Sequence, residues 1–216
     1  MLKTLASTTI IKKKIINNLN ILFDTSKPTF VSGISGKGKT TLLSLICGFL
    51  KPHKGQILFD GVELKSIHQF SKNLIGYISQ ESFLIDETID SNITFGLKKD
   101  KIDKERLEDI KSLLGINENN YGENFNESKI GENGSKLSGG QKQRISLARA
   151  LFHERDIIFL DESTSSLDLA SEKSFIELLK KDKNLTKIII THKKNYINYC
   201  NLKIFFNKNN IKVIRK

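Results

Sequence analysis

Apolar residues fall into two arrangements along this chain: short unbroken or alternating runs, and singles repeated every three or four positions. The runs predict strands. Ile10, Ile11, Ile15 and Ile16 around Lys12–Lys14, then Leu19-Asn20-Ile21-Leu22-Phe23, predict two short strands before a turn at Lys27-Pro28. Thr29–Ser32, Gly55–Phe59, Leu74–Gln80, Asp156–Glu162 and Lys187–His192 predict five more, with Asp60-Gly61 as a turn. Ile157-Ile158-Phe159-Leu160 is an apolar run without alternation, the pattern of a central parallel strand covered on both faces. Helical spacing predicts a helix carrying Leu42, Leu43, Leu45, Ile46 and Phe49, and a second over Lys104–Leu114 with Leu107, Ile110 and Leu114 on one face. A third follows Ser138-Gly139-Gly140 with Ile145, Ala148 and Leu151, and a fourth carries Phe175, Ile176, Leu178 and Leu179. Glu118–Asn133 reads as loop or short helical turns, and Lys203–Phe206 with Ile211–Ile214 reads as a closing hairpin. Strand signals stop between Glu81 and Phe152, which predicts an α/β domain with a core lobe of about 1–80 and 156–216 and an inserted helical lobe of about 81–155.

The chemistry sits where these elements meet. Gly33-Ile34-Ser35-Gly36-Lys37-Gly38-Lys39-Thr40-Thr41 has the form G-x-x-x-x-G-K-T after a strand and before an apolar helix, the setting a phosphate-binding loop demands. Its glycines let the backbone curl so that successive N–H groups face a phosphate. Lys39 is expected to reach the β- and γ-phosphates, and the Thr40 hydroxyl to ligate Mg²⁺. Leu137-Ser138-Gly139-Gly140-Gln141 opens the third helix, and bare N–H groups at such a terminus favour phosphate. Asp161 and Glu162 end the apolar strand, where acids are not core residues unless paired. Asp161 is assigned to Mg²⁺ through water and Glu162 to polarising an attacking water. Gln80 ends its strand at the edge where open α/β sheets bind ligands; by itself it reads as a polar strand-end residue, and beside the other motifs it is a candidate to reach Mg²⁺ or that water. His192 ends a strand in the same way and is assigned a γ-phosphate contact; His53, His68 and His153 have no such setting.

Composition changes this picture little. The net charge of +11 comes from 30 Lys and five Arg against 24 acids, scattered without an Arg-rich block or an aromatic-interleaved basic stripe. A solvated Lys-rich surface explains it, and no specific nucleic-acid partner is expected. Cys47 and Cys200 lie far apart, without metal-ligand spacing. Cys47 falls in the apolar pattern of a helix, as a reduced core thiol would. No apolar run approaches the roughly 20 residues that cross a bilayer, and no signal-peptide core opens the chain, so a soluble, cytosolic chain is expected.

The order of phosphate loop, strand-end Gln80, Leu137–Gln141, apolar strand with Asp161-Glu162, Ser165-Ser166-Leu167-Asp168 and strand-end His192 resembles the nucleotide-binding domain of ABC transporters, from about Asn18 to residue 206. The resemblance implies a P-loop NTPase fold: a RecA-like, mostly parallel core, an N-terminal antiparallel β subdomain and an inserted α-helical subdomain. It also implies that Leu137–Gln141 is the signature motif, that Ser163–Asp168 covers the D-loop with Asp168 near the nucleotide, and that His192 is the switch histidine. Two such domains enclose two ATP head to tail, with the signature of one facing the phosphate loop of the other. Thr88–Gly96 after Gln80-Glu81, and Lys129–Gly134 before the signature, are similar to exporter-type segments that face a membrane subunit. Asn133 stands where many relatives carry Arg. The implied protein is an exporter ATPase on the cytoplasmic face of the membrane, with ATP and Mg²⁺ as cofactors. Its partners are a second copy or a paralogous ABC ATPase domain, and a transmembrane-domain subunit. A separate subunit and the C-terminal part of a fused transporter both fit. The alternative is a non-transport ABC ATPase acting on DNA or ribosomes, but the long coiled-coil insertion or doubled unit typical of those proteins is missing. The family also stacks adenine on an aromatic expected near residues 8–12, where this chain has Thr8-Thr9-Ile10-Ile11-Lys12, so weak discrimination between ATP and GTP is expected.

Overall fold

The computed structural model describes residues 2–10, 13–23, 28–64, 74–79, 81–163, 172–173, 175–177, 179, 185–207 and 210–215, with backbone alone at 2–10, 13–15, 17–18 and 194. The elements in chain order are β1 (Leu2–Ile10), β2 (Lys13–Phe23), β3 (Thr29–Gly33), α1 (Lys39–Ile46), β4 (Lys54–Phe59), β5 (Val62–Glu63), β6 (Ile75–Ile78), α2 (Ile89–Ile93), α3 (Lys104–Leu113), α4 (Glu118–Tyr121), α5 (Gly139–Phe152), β7 (Ile157–Asp161), β8 (Thr186–Ile190), β9 (Leu202–Phe206) and β10 (Ile211–Arg215). They divide between two compact units, Met1–Ile75 with Asp156–Glu162 and Asp182–Lys216, and Gly76–Arg155 with Ser163–Lys181.

The first unit holds two sheets. One is antiparallel, in the order β2-β1-β4-β5. Of the two short strands expected before Pro28, the first straddles the end of β1, which begins at Leu2 and ends at Ile10, and the start of β2, whereas Ile15, Ile16 and the whole second strand fall in one continuous β2. Asn17-Asn18 reads as a break, yet the register runs from Ala6↔Leu19 to Thr8↔Ile16, so β2 accommodates the pair as a bulge with one extra residue. Asp60 and Gly61, with φ of 48° and 87°, make the turn that folds β5 back on β4.

The other sheet has the order β10-β9-β3-β8-β7-β6, its last strand beginning where the chain leaves this unit. Strands β9, β3, β8 and β7 are parallel, and β10 closes on β9 as an antiparallel hairpin. Ile157, Ile158, Phe159 and Leu160 are all buried, as their unbroken apolar run requires. Val31, Phe159, Ile188 and Ile204 join Leu42 and Leu45 of α1 in the core, each such side chain contributing about 1.5–3 kcal/mol by leaving water. The parallel arrangement puts the C-terminal ends of β3, β7 and β8 along one edge, the edge that binds ligands in this class of sheet.

The second unit is helical, and α5 is its centre. Ile145, Leu147, Ala148 and Phe152 of α5 are buried. Arg149 ties α5 to the segment before it: Nε donates to the Asn92 carbonyl at 2.7 Å, Nη1 to the Phe83 carbonyl at 2.9 Å and Nη2 to Asn92 Oδ1 at 3.1 Å. Asn92 is itself fully buried and donates to the Ile85 and Thr88 carbonyls at 3.0 Å. Phe175, Ile176 and Leu179 of the predicted fourth helix are also buried and helical, while Leu178 lies outside the described residues. Among the described residues no helix is long and apolar enough to cross a membrane.

Candidate active site

Three strand ends of the first unit converge. β3 runs into Gly33, whose φ of +138° only glycine adopts readily and whose added Cβ would stand 2.2 Å from the Phe206 carbonyl of β9. The first glycine of the motif is therefore demanded by its neighbouring strand. Ile34 N–H then donates to that same carbonyl at 3.1 Å and fixes the loop to the sheet. Ser35, Gly36 and Lys37 are exposed, and Gly36 and Gly38 have φ of 73° and 111°. Gly38 is the N-cap of α1; no side chain caps that helix and no acid stands in its first turn. Lys39 is buried, and its ammonium folds back on the loop, donating to the Gly33 carbonyl at 2.8 Å and the Ile34 carbonyl at 3.4 Å. Thr40 is exposed and Thr41 half-buried.

The acid pair lies at the same edge. Asp161 ends β7 opposite Ile190, and Glu162 N–H donates to the Ile190 carbonyl at 2.9 Å. Glu162 has φ of +51°, the left-handed region that costs a non-glycine residue about 1–2 kcal/mol. The Thr191 N–H donates to the Val31 carbonyl at 3.1 Å, which holds the end of β8 against β3. His192 follows, and its Nε2 lies 3.1 Å from Glu162 Oε1. Lys39, Asp161, Glu162 and His192 thus lie at or just beyond the ends of three neighbouring strands, β3, β7 and β8, along one sheet edge. The donors expected to hold Mg²⁺ are hard oxygens, an exposed hydroxyl at Thr40 and a half-buried carboxylate at Asp161, and they fit that ion. Among the described residues no three His, Cys, Asp or Glu side chains gather into a metal cage, and Mg²⁺ on a nucleotide needs only one or two protein ligands. Gln80 and Asp168 lie outside the described residues, as do the side chains of Thr8–Lys12.

Ser138–Gln141 belongs to the second unit, and its N–H groups are not all bare as expected. Ser138 caps α5, its Oγ accepting the Gln141 N–H at 3.3 Å, while Gln141 Oε1 accepts the Ser138 N–H at 2.7 Å. The pattern Ser-x-x-Gln is the capping-box signature, a legible signal that the reading of bare donors passed over. Ser138 and Gly139 remain exposed and Gly140 half-exposed. Of the two segments with exporter-type likeness, Lys129–Gly134 is tied to the residues just before Thr88: the Gly131 N–H donates to Asp86 Oδ1 at 2.8 Å, and Lys129 Nζ pairs with Glu87 at 3.0 Å. The tie between Arg149 and Asn92 was not read from the sequence, because the Arg149 partners lie 57 and 66 residues away.

Cys47 and Cys200 are free and buried, and burial pushes both thiols up to about 12. Cys47 is the reduced core thiol its helix pattern suggested.

Comparison with known proteins agrees with this geometry. A family model described as ABC transporter matches residues 16–165. An ATP-dependent lipid A-core flippase of Francisella tularensis is 37% identical over 185 residues, covering 83% of this chain and 30% of the flippase. ABC transporter B family member 17 of Arabidopsis thaliana is 35% identical over 202 residues, covering 91% of this chain and 16% of that protein. The solved structure of a bacterial Atm1-family ABC exporter with ATP bound superposes with a TM-score of 0.85 at 25% identity, over 97% of this chain and 38% of that one. The chain therefore spans well under half the length of the proteins it matches.

Proposed function

This chain belongs to the ABC transporter family as one of its ATP-binding, ATP-hydrolysing domains, and from that membership we propose that it powers an exporter. It closes with a second copy, or a paralogous ABC ATPase domain, around two ATP. It passes the resulting motion to a transmembrane-domain partner from the cytoplasmic face of the membrane. The named relatives, a flippase and an exporter, support the exporter reading over action on DNA or ribosomes.

The observation that carries the reading is the sheet edge that joins Lys39, Asp161, Glu162 and His192, with Glu162 and His192 3.1 Å apart. Lys39 exchanges loop carbonyls for the β- and γ-phosphates, joined by amides of Gly33–Thr41. Thr40, Gln80 and, through water, Asp161 would hold Mg²⁺, which when bound would neutralise charge on the phosphate oxygens. Glu162 accepts a proton from the attacking water while the water oxygen bonds to the γ-phosphorus and the bond from that phosphorus to the β–γ bridging oxygen breaks, leaving ADP and phosphate. His192 donates to a γ-phosphate oxygen and orients Glu162. Ser138, Gly139 and Gly140 of the partner copy close on that phosphate, with Asp168 at the same interface. Because the γ-phosphate is shared, ATP favours the closed pair and hydrolysis releases it.

Capture of the chain with its partner from detergent-solubilised membranes tests the whole reading. Recovery of a membrane-spanning ABC subunit is expected, and recovery of ribosomes or DNA-bound complexes alone would overturn it.

A further inference from the structure

We propose that Tyr121 is a positioning residue for the Ser138–Gln141 turn: its hydroxyl holds the Gln141 carbonyl and so fixes the shape in which the turn presents Ser138 and Gly139 to a phosphate. The proposal rests on the reading that this turn grips the nucleotide bound by a second copy.

Gln141 is committed inside its own unit. Its Oε1 accepts the Ser138 N–H, its Nε2 donates to the Asn120 carbonyl, and its own carbonyl accepts the Tyr121 hydroxyl at 3.0 Å. Ser138 and Gly139 stay exposed on the front of the turn while its back is fastened to α4. That short helix has no fully buried residue, so apolar packing is not what holds it. Other bonds anchor it. Asn120 Nδ2 donates to the Gly115 carbonyl at 2.8 Å, and Asn117 Oδ1 accepts the Asn120 N–H at 3.2 Å. The Tyr121 ring lies 6.0 Å from that of Phe125, above which the Lys111 ammonium stands at 5.4 Å. Lys111 is 1% exposed and pairs with Asp90 and Glu108 at 2.9 Å, so the base of the strut is a buried, charge-paired cation. Gly115, at φ +65°, has room for no freely placed side chain, since an added Cβ would lie 3.3 Å from Asn120 Nδ2. Burial pushes the Tyr121 phenol upward against the opposing pull of Arg144, which keeps it a hydrogen donor at working pH. A chain of contacts therefore runs from α3 through α4 into the first turn of α5, and Tyr121 and Asn120 are the links that touch Gln141.

Tyr121→Phe in a Glu162→Gln background removes the hydroxyl and keeps the ring. Faster amide hydrogen exchange is expected across 138–141, with α1 amides and monomer affinity for ATP unchanged and only the small drop in melting temperature that one lost hydrogen bond brings. The ATP concentration that half-saturates dimerisation should rise about three- to tenfold, the effect of one lost hydrogen bond. Unchanged exchange at 138–141 would overturn the proposal, and so would faster exchange with unaltered dimerisation. A Glu162→Gln parent that stays monomeric with ATP would overturn the underlying reading and this role together, an outcome the parent alone reveals.

Discussion

Two helices of this chain begin on glycine-containing turns and treat their first N–H groups in opposite ways. α1 starts at Gly38, in a left-handed conformation, with no side-chain cap and no acid in its first turn. α5 starts at Ser138 with a complete capping box. An uncapped terminus leaves donors unsatisfied and the positive end of the dipole exposed, so its loop is built to bind an anion and gains most when one arrives. A capped terminus holds its own shape and keeps only part of its donor set, here the Gly139 and Gly140 amides and the Ser138 hydroxyl proton. The first fits a primary triphosphate site and the second a preformed surface that closes on a phosphate already held. One cradle binds and the other completes.

The contrast can be broken at several points. The largest effect is expected from Glu162→Gln, which leaves both termini intact and removes the base. ATP should still bind while steady-state hydrolysis falls about 10²–10⁴-fold, and residual turnover close to the parent rate would place the base elsewhere. Lys39→Ala removes the cation bonded to the glycine loop and should weaken nucleotide binding by the monomer roughly ten- to a hundredfold. Titration with a fluorescent ATP analogue measures this, and equal affinity would refute the primary role of α1. Gly33→Ala would push a methyl into the Phe206 backbone and is expected to cost about 1–3 kcal/mol of stability, read as a drop in thermal midpoint. Ser138→Ala sharpens the comparison. It should cost about 1 kcal/mol through the lost cap and impair ATP-driven dimerisation, while monomer affinity for ATP stays the same. A loss of monomer affinity would mean that α5 acts in the same copy. The smallest effect concerns the base: ATP and GTP should bind with similar Kd by calorimetry, and a strong ATP preference would show that another residue reads adenine.

Much of this was legible because local chemistry wrote it. The unbroken apolar run Ile157–Leu160 could only be a strand covered on both faces, and the acids that end it had to lie at its tip. The glycine loop was readable from spacing. What escaped depends on pairing across long stretches of chain. Nothing local shows that β9 inserts beside β3, and it is this pairing that makes Gly33 indispensable through Phe206. The positive φ of Glu162 has no signature in Asp-Glu. That β2 runs on through Asn17-Asn18, one extra residue absorbed there as a bulge, depends on its pairing with β1. The Arg149–Asn92 tie is invisible for the same reason of distance, whereas the Ser138–Gln141 box was written in the sequence and simply competes with the bare-donor reading.

The claim that one triphosphate is held by the glycine loop of one copy and the serine-led turn of another is tested most directly by the structure of the Glu162→Gln chain with ATP and Mg²⁺. The distance to measure runs from the Gly139 amide to the γ-phosphate bound at Lys39 of a neighbouring copy. Hydrogen-bond contact, at about 3 Å, is expected. A γ-phosphate bound at Lys39 but remote from residues 138–140 of every neighbouring copy would contradict it.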